Sequence, residues 1–378
     1  EAGGFTYHTK YSTWEFFRRQ EGDNWQGQVA PPEIPENAIG NLSPQEYVNR
    51  QFMRRAADQP QSRTFKAGLE YIERNHAEDN WMLHIETFDP HEPFFSQREY
   101  KDLFAEHYEK YRGRFFDWPR YRDVEETPEE VEHCRYQYAA LLAMCDAKLG
   151  DVLDAMDEHD MWDDTMLIVW TDHGFLLGEH EKWAKIWVPM YQEVAHTPFF
   201  VWDPRCGKRG ERREALVQPA IDLPVTLLRA FGQEPTDDMT GCDLADTIAN
   251  DTPVRETAIF GCHGQHLNVT DGRYVLMQEP IDREAHPQHE YTLMPTHMRG
   301  PFRFTKGCKV MRVETPAAFK NTHGGAMYDI ETDPVQQTPI DDDAIRNRLL
   351  TAAGELMARC DAPPEVYERF GVEAPANA

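Results

Sequence analysis

Residues 165–171, TMLIVWT, are an unbroken apolar run that ends in Thr171-Asp172-His173-Gly174. A run of this length without polar alternation predicts a strand covered on both faces. Residues 199–202, FFVW, predict a second such strand, and residues 80–88 a third, broken by Asp89-Pro90-His91-Glu92-Pro93. Helical patterns lie between them. Ser43-Pro44-Gln45-Glu46 opens a helix over about 44–57, and Phe65, Leu69, Tyr71 and Ile72 form the apolar stripe of one over 63–76. Thr127-Pro128-Glu129-Glu130 opens a long helix to about 157, with Tyr136, Ala140, Leu141, Met144, Leu149, Leu153 and Met156 on its apolar face. Residues 94–126 are aromatic and charged and read as short helices and loop. Helix and strand in alternation predict an α/β sheet with helices on both faces.

The texture changes after about residue 250. Short strands fit 256–261, 266–270, 273–278, 302–305 and 308–313, with a hairpin turn at Thr270-Asp271-Gly272-Arg273 and a helix over 341–361. This predicts a smaller α+β domain with an antiparallel sheet, so the expected division is 1–250 and 251–378. Residues 1–40 read as an irregular covering segment, and the Pro/Ala-rich tail from Ala362 as frayed.

Charge restricts the partners. The 378 residues carry 66 Asp+Glu against 39 Lys+Arg, a formal charge of −27. Such a field repels a phosphate backbone, which argues against nucleic acid as a partner. No run of about 18 apolar residues is present, so no membrane-crossing helix is expected. At 40% hydrophobic and 12% aromatic, the chain can build a core and does not read as disordered. Seven cysteines without a C-x-x-C pair read as reduced, structural thiols. They favour the cytoplasm; a lost leader would point to periplasm or secretion. Oligomeric state leaves no mark.

The chemistry concentrates at predicted strand ends. Asp172 and His173 follow the apolar strand, where α/β sheets bind ligands. They read either as ligands of one cation or as a turn whose Asp caps the next element. Thirteen residues beyond Asp172 stands Lys185, in GEHEKWAK with His180 and Lys182. The two lysines read either as an anion site or as a solvated loop. His91 follows strand 80–88 in a Pro-bounded turn, where an imidazole can give a proton to a leaving group or simply be exposed. His91-Glu92 and His180-Glu181 begin like H-E-x-x-H, but Phe95 and Ala184 stand where the second His is needed. His263 and His266 are positioned either to enter a cleft or to lie in a surface loop, and His286, His289 and His297 fall in a loop over 284–301.

Taken together, these motifs resemble the sulfatase branch of the alkaline phosphatase superfamily. The resemblance rests on Phe88-Asp89-Pro90-His91-Glu92-Pro93, then Tyr138, Asp146 and Gly150 on the long helix and Thr165 before the strand. It continues through Thr171-Asp172-His173-Gly174, Leu177-Gly178-Glu179-His180, Trp183-Ala184-Lys185 and His196-Thr197-Pro198, all in matching order and spacing. Trp14-Glu15-Phe16-Phe17 with Gln20-Glu21-Gly22-Asp23, and the hairpin through Asp271-Gly272-Arg273-Tyr274, extend it over nearly the whole chain. It implies a sulfatase-like central mixed sheet flanked by helices and metal-dependent hydrolysis of sulfate monoesters. Asp172 and His173 would be metal ligands, for calcium or, in related phosphonate monoesterases and phosphodiesterases, manganese. Lys185 would hold the sulfuryl oxygens and His91 would serve the leaving-group oxygen, with Lys182, His180 and His266 as substrate-binding candidates. The partner would be an anionic sulfate ester, phosphonate or phosphodiester, as a small molecule or on a glycan.

The sequence departs from the family at one point. The nucleophile, a formylglycine, is made from a C/S-x-P-x-R motif, and no Cys or Ser of this chain begins one. The resemblance is thus to a sulfatase lacking its opening segment, or to a degenerate relative that binds sulfated glycans without cleaving them. The first is the expectation, because a sheet without its first strand exposes unpaired edges.

Overall fold

The computed structural model describes residues 7–282, 288–293, 310–315 and 325–376. They form a mixed α/β fold with helices and small antiparallel sheets. Contacts group the chain into two units. One comprises 1–165 with 177–183, the other 166–176 with 184–378.

The first unit is helical. It contains α1 (Pro44–Arg50), α2 (Pro60–Asn75), α3 (Arg98–Lys101), α4 (Ala105–Lys110) and α5 (Pro128–Glu158). The last begins where the sequence places it: Thr127 Oγ1 accepts from Glu130 N–H, and the Glu130 carboxylate accepts from Thr127 N–H. Such a reciprocal cap satisfies two otherwise orphaned donors. Helices α2 and α3 pack on α5, whose Ala140, Leu141, Met144 and Met156 are buried. Beside this apolar core lies a buried ionic one. The Glu46 carboxylate is 3.2 Å from the Arg19 guanidinium and 2.9 Å from that of Arg50, which also meets Asp117 at 2.9 Å. Both arginines lie over the Phe95 ring.

The second unit holds β1 (Leu167–Trp170) and, in chain order, β2 (Leu176–Leu177) and β3 (Trp183–Ala184), which straddle its boundary with the first. It continues through α6 (Gln192–Ala195), β4 (Phe199–Trp202), α7 (Pro219–Ala230) and α8 (Ala245–Asn250). A four-stranded antiparallel sheet follows, built from β5 (Ala258–Phe260), β6 (Leu267–Thr270) and β7 (Tyr274–Gln278). The hairpin β8 (Gln288–Leu293) and β9 (Val310–Thr315) comes next in the chain, before the fourth strand of the sheet, β10 (Ala326–Asp329). Strand order in the sheet is β10-β7-β6-β5. Helices α9 (Asp343–Arg359) and α10 (Pro364–Phe370) complete the chain, and Leu349, Ala353 and Met357 of α9 pack against Leu267, Val269 and Leu276. The turn 270–273 is the expected hairpin, with Gly272 at φ +91°.

Several expectations are corrected. Residues 80–88 are not a strand: exposure alternates over 81–86, as a strand's would, but the segment pairs with no strand among the described residues, and ladder bonds define a strand. The first helix stops at Arg50, not near 57, because Met53 is buried and its carbonyl accepts from Gln97 Nε2. Strand β1 is half-buried rather than covered on both faces. It pairs antiparallel with β4 alone among the described residues, and Phe200 of β4 is 67% exposed. The tail does not fray: Tyr367, Phe370 and Val372 enter the core with α9, their i, i+3 spacing outweighing the flanking Pro and Ala. Part of the 284–301 loop is strand β8. His286, His297 and the strand expected over 302–305 lie outside the described residues.

Candidate active site

His91 sits in a turn closed by its own N–H, which donates to Phe88 O at 3.1 Å, and its ring tilts onto the Phe88 ring with centroids 4.0 Å apart. Its Nδ1 is 2.7 Å from Glu92 O and 3.1 Å from Glu92 Oε2. The carbonyl oxygen accepts, so Nδ1 carries the hydrogen and Nε2 is the ring's exchangeable nitrogen; Oε2 stands in ion-pair contact only. Glu92 is wholly buried, and Tyr121 O–H donates to its Oε1 at 2.7 Å. Burial and the Glu92 charge push the Tyr121 hydroxyl pKa up, so it remains a donor. Two residues before His91, desolvation raises the half-buried Asp89 carboxyl to about 6; nearby Arg19 opposes this and Glu46 adds to it.

The segment after Tyr121 also holds the 177–183 loop. Lys182 Nζ pairs with Asp123 at 2.6 Å, and the buried Trp183 donates Nε1–H to Glu126 at 2.8 Å. Arg135 of α5 donates to Leu177 O and to Glu179. Among non-glycine residues, His180, Glu181, Ala184 and Ile186 all have φ between 53° and 75°. Left-handed backbone at such residues costs on the order of 1 kcal/mol each and clusters at functional segments.

In the second unit, Asp172 and His173 follow β1. Asp172 Oδ1 accepts from His173 N–H at 2.9 Å, and its Oδ2 stands 3.5 Å from His173 Nε2. His173 Nδ1 is committed to Gly174 O at 2.9 Å, which leaves Nε2 as the ring nitrogen beside the Asp172 carboxylate. Gly174 cannot carry a side chain: a Cβ there would lie 1.9 Å from Glu193 O, because its N–H bonds Val194 O at 2.9 Å. Lys185 is buried, with Nζ 5.9 Å from the centre of the Phe175 ring. Gln265 Nε2 bonds Ile186 O, tying the 185–187 segment to the loop of His266. His266 is buried, against the surface-loop reading, whereas His263 is exposed and bonds His289 O at 2.8 Å.

The predicted residues therefore fall into two sets. His91, His180 and Lys182 belong to the first unit, and Asp172, His173, Lys185 and His266 to the second. The Asp172–His173 pair fits as two ligands of a cation; among the described residues no cluster of three or more His, Cys, Asp or Glu side chains is assembled. The sequence reading missed Tyr121, whose only signal was its place in an aromatic, charged stretch, and the role of Glu92, which stood inside a quoted motif. The six described cysteines carry free thiols.

A family model described as Sulfatase matches residues 4–233. A choline-sulfatase of Rhizobium meliloti (strain 1021) is 27% identical over 138 residues, covering 33% of this chain and 27% of that protein. A solved protein in complex with its substrate, D-glucosamine-2-N,6-O-disulfate, superposes at TM-score 0.57 with 14% identity, over 80% of this chain and 70% of that one. The phosphonate monoester hydrolase of Agrobacterium radiobacter superposes at 0.55 with 17% identity, over 82% and 62%. Matches to curated relatives span from 18% to 45% of those proteins' own length.

Proposed function

The chain belongs to the sulfatase family, and on that premise we propose that it serves the hydrolysis of sulfate monoesters. The observation that carries this reading is the Asp172–His173 turn, where one imidazole is locked through Nδ1 and aims Nε2 at a carboxylate 3.5 Å away. Asp172 and His173 would hold a divalent cation, which when bound supplies positive charge to the ester oxygens. Carboxylate suits calcium, and imidazole suits manganese on softness grounds. Lys185, buried with its Nζ over the Phe175 ring, would hold the sulfuryl oxygens. His91, with its hydrogen on Nδ1, would protonate the leaving-group oxygen from Nε2 when charged. The C/S-x-P-x-R sequence that yields formylglycine does not occur in these 378 residues, so no residue here is assigned as nucleophile.

A second reading, phosphonate monoester or phosphodiester hydrolysis, is favoured by the His ligand and by the likeness to the Agrobacterium hydrolase. Sulfuryl and phosphoryl groups share a tetrahedral shape, and turnover of paired aryl sulfate and aryl phosphonate substrates separates them. Faster sulfate turnover, falling at least about 100-fold in both Lys185→Ala and His91→Ala, is expected. Full activity in both variants would overturn the residue roles. Faster phosphonate turnover would establish the second reading, and binding of a sulfated glycan without hydrolysis would establish a non-catalytic relative.

A further inference from the structure

We propose that the buried Glu92 carboxylate, held by Tyr121, is the positioning residue that sets a negative charge beside the His91 ring and so keeps Nε2 supplied with a proton, while the Glu92 backbone carbonyl keeps the other hydrogen on Nδ1. The inference rests on His91 serving the leaving group. Its grounds are geometric. Glu92 meets His91 Nδ1 in two ways: its carbonyl oxygen accepts the hydrogen bond at 2.7 Å, and its Oε2 stands in ion-pair contact at 3.1 Å. The other carboxylate oxygen is held by the Tyr121 hydroxyl at 2.7 Å. Glu92 is wholly buried, and a carboxylate removed from water is retained where its charge is used. Phe88 covers the His91 ring at 4.0 Å and limits its rotation.

The arrangement does two things. It fixes the neutral tautomer, since a ring flipped to place Nε2 beside Glu92 would lose the backbone bond. It also places a negative charge beside the imidazolium and favours the protonated ring. In the proton transfer, the Nε2–H bond breaks, an O–H bond forms at the departing oxygen, and the electron pair stays on Nε2. Nδ1 keeps its hydrogen on Glu92 throughout.

The test uses the whole chain, with Glu92→Gln, Tyr121→Phe and His91→Ala as variants. Imidazole nitrogen NMR of the wild type should show His91 with its hydrogen on Nδ1; Glu92→Gln, which keeps the backbone acceptor, should leave that tautomer in place and lower the pH at which the ring loses its charge. Turnover is compared between a phenyl sulfate, a poor leaving group, and a nitrophenyl sulfate, a good one. Glu92→Gln should slow the first about tenfold and the second less than about twofold. Removing the charge makes the imidazolium easier to deprotonate, so the alkaline limb of the kcat/KM profile should move down by about one pH unit. Tyr121→Phe, which removes only a hydroxyl from a partly exposed ring, should move both readouts the same way by less, and it carries the test if Glu92→Gln does not fold. If His91→Ala leaves leaving-group discrimination intact, the assignment of His91 fails. If His91→Ala abolishes discrimination while the Glu92 and Tyr121 variants leave the pH limb unmoved, the positioning role alone is overturned.

Discussion

The turn carrying His91 and the turn carrying Asp172 and His173 are held in opposite ways. His91 is held by the Glu92 carbonyl and by contact with the buried Glu92 carboxylate, which a tyrosine 29 residues along the chain holds in turn. Asp172 is 76% exposed, and its turn is fixed by backbone: the Gly174 N–H on Val194, and a glycine that leaves no room for a Cβ. A proton-handling group needs a set tautomer and a tuned charge, which buried partners supply. A cation ligand needs its lone pairs left accessible, which a rigid backbone and exposed side chains supply. Fixing an imidazole through polar burial and fixing it through backbone make different demands on the sequence.

The largest test of this contrast lies in the scaffold of the first unit. Glu46→Ala would leave Arg19 and Arg50 buried without their shared carboxylate, and a loss of about 3–5 kcal/mol is expected in urea unfolding. An unchanged midpoint would show that the first turn does not depend on buried ion pairing. For the second turn, Gly174→Ala should cost about 1–3 kcal/mol, since Glu193 O must move. It should also abolish any manganese or calcium binding seen calorimetrically in the wild type; retained binding would show that backbone closeness is dispensable.

Asp89 gives a pH dependence with a definite sign. The folded protein keeps the Asp89 proton up to about pH 6, whereas an unperturbed aspartate releases it near 3.8. Between these values the folded state binds more protons, so stability from this group falls as pH rises from about 4 to 6 and contributes no penalty below both. Asp89→Asn should remove that slope and raise stability at pH 7 by about 3 kcal/mol. A slope that survives in Asp89→Asn would place it elsewhere. The smallest effect is expected at Lys182, whose pair with the exposed Asp123 is of the kind worth less than about 1 kcal/mol. A larger stability loss in Lys182→Ala would mean that the 177–183 loop depends on this one pair.

Much of the local structure was legible. The capping box at Thr127 started α5 within a residue, and period-two patterns with an Asp-Gly turn located β6 and β7. Such signals act over a few residues and need no distant partner. The 80–88 segment failed for the complementary reason: its pattern is that of a strand, but a strand exists only with a neighbour. In the tail the Pro and Ala composition and the spacing of Tyr367 and Phe370 point opposite ways, and only the core with α9 turns that spacing into burial.

At the site, the sequence by itself determined which residue types stand at which spacing. That was enough to name His91, Asp172, His173 and Lys185 and to tie them to one family. It determined the turn at Gly174 as well, because only glycine permits that approach of backbone to backbone. Only the tertiary structure decided that Glu92 and Tyr121 hold His91, that His266 is buried, and that Lys182 is paired with Asp123 while Lys185, three residues on, is buried. Chain order fixes spacing, but burial and hydrogen-bond geometry arise between residues far apart in sequence. Those contacts decide where the Glu92 charge is held and which lysine keeps its charge away from water.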